Sequence, residues 1–333
     1  MDWGGWMEEI ERCRGVFASL IGAEPDEIAI TTSVSAATSA VASALDFRGK
    51  RNRVLASGAE FPTVGHVWKA QERLGAVVDW VPVRDERMIA GDYSGYIDER
   101  TAMVSAAHAW YQNGSLQDVG EIGRVAHENG ALIFVDAYQS VGNVPIDVKK
   151  MDVDFLAGGA LKYLLGLPGI AFLYVKRSVA ETLEPGVTGW FGRIDPFSFD
   201  AAHLDWAPAA RRFDTGTPPI FNAYVARAGM EMIAEIGTTA IREWILQLSG
   251  RLVERAHECG LEIHGPEAPE LRSASTAIRC GALDSHDVEV KLRERGVLAS
   301  ARGPVIRMAP HFYNTLDEID SAVNTLADIL KGS

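Results

Sequence analysis

Apolar and polar positions follow a repeating order along the first 175 residues. Short, nearly continuous apolar runs alternate with longer stretches whose apolar positions recur at helical spacing. The runs EIAI (27–30), RVLAS (53–57), VVDWVPV (77–83), AMVSAAH (102–108), ALIFVDA (131–137), VDFLAG (153–158) and GIAFLYV (169–175) predict strands. Helical patterns lie at 6–21, 33–45, 63–74 and 118–129. Strands that stay apolar along their length are covered on both faces, and regular strand–helix alternation belongs to parallel pairing. A mostly parallel central sheet flanked by helices follows.

The pattern changes after about residue 180. A loop-rich stretch containing GWFG (189–192) and DTGTPP (214–219) leads into helices at 220–236 and 238–259. Strands near 275–279, 297–300 and 304–308, with helices near 284–294 and 316–330, close the chain. The reading is α/β. A large domain covers 16–236, a smaller C-terminal α+β domain covers 237–333, and residues 1–15 begin an N-terminal helix.

One apolar stretch stands apart. In FLAGGALKYLLGLPGIAFLYV (155–175) the only charged residue is Lys162. A membrane span does not fit, because five glycines and prolines (Gly158, Gly159, Gly166, Pro168, Gly169) interrupt it and a lysine sits near its middle. A lysine whose head reaches water past an apolar stem is the plain alternative. Composition narrows the field. The 333 residues are 47% hydrophobic and 23% charged, ordinary for a globular enzyme. A net charge of −13 without any basic run argues against nucleic acid as a partner. Cys13, Cys259 and Cys280 are far apart and form neither CxxC nor a zinc spacing, so no metal site is expected; such scarcity suits a reducing cytoplasm. The start, MDWGGWMEEIERCRG, lacks the layout of a signal peptide.

Ligands of open α/β sheets bind beyond the carboxyl ends of the strands. Four polar features fall there: the cluster TTSVS (31–35), His108, Asp136 and Lys162. Taken singly, the Ser/Thr run is as readily an N-cap, Asp136 a turn residue and His108 a core histidine. Together they match the needs of one cofactor. A helix N-terminus with Ser35 holds a phosphate. A carboxylate at Asp136 keeps a pyridine nitrogen protonated, a flat side chain stacks on the ring, and a lysine in a dry pocket forms a Schiff base with an aldehyde. That set points to pyridoxal 5'-phosphate. No GxGxxG follows the first strand, no GxxxxGK[ST] is present, and HENGA (127–131) lacks the second histidine of HExxH.

From about residue 16 to about 328 the chain resembles the class V aminotransferase-fold pyridoxal phosphate enzymes, which include cysteine desulfurases, isopenicillin N epimerase-like proteins and kynureninases. GAEPDEIAITTSVS (22–35), EFPT (60–63), YQNGSLQDVGEIGRVAHENGALIFVDAYQSVGNVPIDV (111–148), LKYLLGLPG (161–169), GWFG (189–192) and IRMAPHFYNTLDEID (306–320) match kynureninase segments in order. The resemblance implies a fold-type-I enzyme with Lys162 as the Schiff-base lysine and Asp136 at the ring nitrogen. It implies that Ser35, with the Val34 and Ala36 backbone, and the Trp190 indole hold the phosphate. Phe61 or His108 would stack on the ring, Gln139 would contact the ring hydroxyl, and Arg307 would clamp a substrate carboxylate. Thr217 would reach the phosphate of a second subunit, which implies a homodimer.

The departures shape the expected activity. Leu161 stands where a kynureninase has tyrosine, Val64 where it has aspartate and Gln139 where it has histidine, while APHFYNT (309–315) lacks the nucleophilic cysteine of desulfurases. The family usually carries several dozen further residues ahead of the matched region, so a short form or an upstream start is expected. The expected activity is cleavage at Cβ of an α-amino acid, by a kynureninase-like or C–S lyase. Epimerisation, transamination, or a non-catalytic protein of the same fold are the alternatives. Trp110, Tyr111, Trp190 and Phe191 suggest a bulky apolar pocket.

Overall fold

The computed structural model describes residues 3–332. Seven strands form the main sheet: β1 (Ile28–Thr31), β2 (Arg53–Ser57), β3 (Val77–Val81), β4 (Thr101–Ala107), β5 (Leu132–Asp136), β6 (Phe155–Gly159) and β7 (Ala171–Val175). Their spatial order is β1-β7-β6-β5-β4-β2-β3. β7 pairs antiparallel with both β1 and β6, and the other pairings are parallel. The mostly parallel sheet expected from the alternation is therefore present. The carboxyl ends of β1, β4, β5 and β6 share one edge, with Gly159 and Thr31 both opposite Ala171.

The continuous apolar strands are buried on both faces because alternate residues point to opposite sides. Ile28, Ile30, Val104, Ala106, Ile133, Val135, Phe172 and Tyr174 join one core cluster, together with Phe17 and Ile21 from the helix Trp3–Ile21 and Met230 from the helix Ile220–Ile236. The intervening Ala29, Met103, Phe134, Phe155, Ala157, Leu173 and Val175 join a second cluster with the helices Val34–Ser43 and Pro62–Ala70. Phe17 stacks on Phe172 at 4.3 Å between centroids. Arg14 ties the first helix to β1: it donates to the Ile28 carbonyl and, at 2.9 Å, to Asp214, which also accepts the Ile30 N–H at 2.8 Å.

A second sheet of four antiparallel strands, in the order β10-β11-β9-β8, comprises β8 (Ile263–His264), β9 (Thr276–Arg279), β10 (Ser300–Arg302) and β11 (Val305–Met308). Helices Thr238–Glu258, Ser285–Glu294 and Leu316–Lys331 cover one face of it. The strand expected at 297–300 is displaced to 300–302, and β8 has no counterpart in the sequence reading. Strands of two or three residues are too short to show a period of two.

Candidate active site

The strand that ends in Thr31 turns into a helix at Ser33, whose Oγ caps it by accepting the Ala36 N–H at 3.1 Å. The first N–H groups of a helix have no intrahelical acceptor, and here they open toward the sheet edge. A cavity of about 270 Å³ lies at that edge. Ser33, Val34, Ser35 and Thr63 line its hydroxyl-rich end, and Asp136, Gln139 and Lys162 line its other polar positions. Phe61, Ala107, Ala109, Tyr111 and Tyr138 supply its apolar walls. Ser35 Oγ and Thr63 Oγ1 are 2.6 Å apart.

Lys162 is partly buried, with its Nζ 4.3 Å from the centroid of the Tyr138 ring. Burial, and then the Arg307 charge, push its pKa down to about 8, with the Asp136 carboxylate acting in the opposite sense. With its amide oxygen facing the two cations, Gln139 accepts from Lys162 Nζ at 2.9 Å and from Arg307 Nη1 at 3.0 Å. Arg307 Nη1 also donates to the Tyr111 carbonyl at 2.7 Å, while its buried Nε has no hydrogen-bond partner. Asp136 accepts the Tyr138 N–H at 2.8 Å. Burial raises its pKa, while that N–H and the Lys162 charge lower it. Behind it Glu60 is fully buried, and burial and the Asp136 charge push it up to about 8.

Several sequence candidates stand elsewhere. His108 does not line the cavity. Strand alternation presents Ala107 and Ala109 to it and turns His108 away, with its Nδ1 2.9 Å from Ser140 Oγ. Burial pushes its pKa down to about 4, so the ring is neutral. Of the two residues left open for stacking, Phe61 is the one in the cavity wall. The Ala36 N–H is already held by the Ser33 cap, which leaves Val34 and Ser35 as the free amides of that turn. Trp190 is outside the cavity, in an aromatic cluster with Trp3, Phe191, Phe197 and Phe199. Thr217 is exposed in the loop before the helix Ile220–Ile236. Of the four aromatics read as a bulky pocket, only Tyr111 lines this one. Val64, at the kynureninase aspartate position, is buried in the apolar core.

Sequence reasoning passed over Tyr138 and Thr63. Tyr138 sits between two residues that were singled out, and Gly159 makes room for it: a Cβ at 159 would lie 2.4 Å from the ring. Chemically the arrangement offers a phosphate-sized cradle of hydroxyls and amides, an apolar slot for a flat ring, a buried carboxylate, and an amine of lowered basicity. These donors fit a phosphorylated pyridine aldehyde. Among the described residues no cluster could hold a metal ion, and no helix is long and apolar enough to cross a membrane.

The model of the family Aminotransferase class-V matches residues 5–320. An uncharacterized aminotransferase of Bacillus subtilis, YcbU, is 40% identical over 98% of this chain and 85% of its own length. A kynureninase of Geobacillus thermodenitrificans is 28% identical over 98% of this chain and 79% of its own. The apo structure of a cysteine desulfurase from Thermococcus onnurineus superposes with a TM-score of 0.89 at 26% identity, covering 99% of this chain and 85% of that one. The chain is a class V aminotransferase family member of fold type I, with pyridoxal 5'-phosphate as its cofactor.

Proposed function

We propose that this chain holds pyridoxal phosphate in the cavity at the sheet edge, attached through Lys162, and acts at Cα of an α-amino acid to release a group from Cβ. The observation that carries the reading is the amide oxygen of Gln139, which faces Lys162 Nζ and Arg307 Nη1 together. The group that handles a substrate amine and the group that handles its carboxylate thus stand side by side. Val34 and Ser35 amides, the Ser35 hydroxyl and Thr63 would hold the phosphate, Phe61 would cover one ring face, and Asp136 would face the ring nitrogen. When bound, the cofactor supplies a sink for the electron pair left at Cα. Lys162, with its pKa near 8, takes up and returns the Cα proton. Arg307 fixes the carboxylate so that the Cα–H bond faces Lys162.

A desulfurase that carries sulfur on its own cysteine is not supported, since no cysteine lines the cavity and Cys13 and Cys280 are buried. A second reading, transamination, is favoured by the 40% identical relative that bears the name aminotransferase. Incubation with α-amino acids in deuterated water separates the reactions. A lyase releases a Cβ fragment, with ammonia and a keto acid when the Cβ substituent is eliminated, or with a shortened amino acid when the bond beyond Cβ is hydrolysed. Keto acid without ammonia, together with the pyridoxamine form, overturns the lyase reading in favour of transamination, and racemised deuterated substrate overturns it in favour of epimerisation.

The same reading includes a homodimer. Trp190 and Thr217 do not reach their own cavity, and the surface beside them exposes Phe199, Phe197, Ile194 and Phe221, the last 84% exposed. Exposed large apolar side chains of this kind mark an interface when they are gathered on one surface. A second copy of the chain is its occupant, bringing Thr217 to the partner's phosphate end. Light scattering should report twice the chain mass of 36.1 kDa, and a monomer carrying full activity would contradict this.

A further inference from the structure

Arg307 has a neighbour that the proposed reaction does not use. β10 and β11 pair antiparallel with Ser300 opposite Arg307 and Arg302 opposite Val305. Residues two apart on a strand share a face, so Arg302 stands on the same face as Arg307, at the diagonal position, where Cα atoms are roughly 7–8 Å apart. That face meets the segment 110–114 of the main sheet's edge. Tyr111, which lines the cavity, accepts from Arg307, and the next residue, Gln112, donates to the Arg302 carbonyl at 3.3 Å. Consecutive residues of one segment thus hold the Arg307 side chain and the Arg302 backbone beside the cavity.

The charges here do not balance. Arg279, on the adjacent strand, pairs with Glu86 and, at 2.8 Å, with Glu262. Arg302 has no acidic partner among the described residues, and its Nη1 donates only to the carbonyl of its own neighbour Ala301. Its charge disfavours the protonated form of Lys162 and the charged form of Arg307. Two like charges near each other on one face repel, and an anion bound between them relieves that repulsion. An α-carboxylate on Arg307 accounts for one cation and leaves the other unmatched.

Building on the reading of the site as an amino-acid site, we propose that Arg302 binds a second anionic group, at the end of the substrate side chain, so that the preferred substrates are acidic amino acids. Arg307 takes the α-carboxylate and Arg302 the distal one, each through a charge-assisted pair. A guanidinium suits this role because its planar fork matches a carboxylate.

The test uses the cofactor-loaded wild type and the variants Arg302→Gln and Arg302→Lys, with L-aspartate, L-glutamate, L-alanine and L-phenylalanine as probes. The change in the visible cofactor band on titration gives a half-saturation for each. Wild type should half-saturate with aspartate or glutamate at lower concentration than with alanine. Arg302→Gln should shift the acid-to-alanine ratio of half-saturations by about 10-fold or more, and Arg302→Lys should recover part of it. A ratio unchanged in Arg302→Gln, or a wild type that favours alanine or phenylalanine, overturns the proposal while leaving the amino-acid site standing. A band that responds to no α-amino acid overturns the reading of the site itself, and this inference with it.

Discussion

Lys162 should behave unlike the other lysines of the cofactor-free protein. Its pKa lies near 8 instead of 10.5, because burial and Arg307 disfavour the ammonium. At pH 8 roughly half of Lys162 is then neutral, against roughly 0.3% of an ordinary lysine, an advantage of about 150-fold in the reactive form. Trace labelling of the apo-protein with an amine reagent across pH 6–11, read peptide by peptide by mass spectrometry, measures this directly. Arg307→Gln should move the Lys162 midpoint up and Asp136→Asn should move it down. The same shift has a consequence for stability. Between pH 8 and 10.5 the unfolded chain binds a proton at Lys162 that the folded chain does not, so this group makes stability rise with pH across that window. The penalty is fully present below pH 8 and amounts to about 3.5 kcal/mol, from 2.5 pH units at about 1.4 kcal/mol each. Apo Lys162→Met should therefore be more stable than apo wild type at pH 7, with the gap closing as pH rises toward 10.5. A Lys162 midpoint near 10.5, or a gap that does not depend on pH, would refute the reasoning.

Three further outcomes follow from the geometry. Asp136→Asn removes the carboxylate proposed for the ring nitrogen and should lower kcat by about 100-fold or more, with the protein still folded by circular dichroism; near-normal turnover would remove Asp136 from the site. Gly159→Ala puts a Cβ 2.4 Å from the Tyr138 ring and should push that ring into the cavity, weakening cofactor retention in dialysis, and Tyr138→Ala in the same chain should restore it. Asp214→Ala leaves the buried Arg14 guanidinium without its carboxylate partner and should cost about 3–5 kcal/mol in urea unfolding; a loss below about 1 kcal/mol would show that Glu11, 3.3 Å away, suffices.

The main sheet was readable because its strands are apolar throughout, and RVLAS is the strand Arg53–Ser57 to the residue. The edge carrying Asp136, Lys162 and the Ser33 turn followed from strand direction alone. Which face of a strand end points into a cavity did not follow. His108 and Ala109 differ by one position, and a half-turn of the backbone decides between them. Tyr138 escaped notice because its place depends on Gly159, 21 positions along and on the next strand. Arg302 escaped because β10 is three residues long and shows no alternation, so its pairing with β11 appears only in the register. Trp190 and Thr217 lie outside the cavity, and the role proposed for Thr217 depends on a second copy of the chain, which one chain's own packing does not express.

The central claim is that the lone charge of the stretch 155–175 is the cofactor's attachment point. Reduction of the purified, cofactor-loaded protein with borohydride, followed by peptide mapping, tests it most directly. The visible band should vanish, and the reduced pyridoxyl mass should sit on Lys162 and nowhere else. A pyridoxyl mass on another lysine, or a band that borohydride leaves unchanged, would contradict the account.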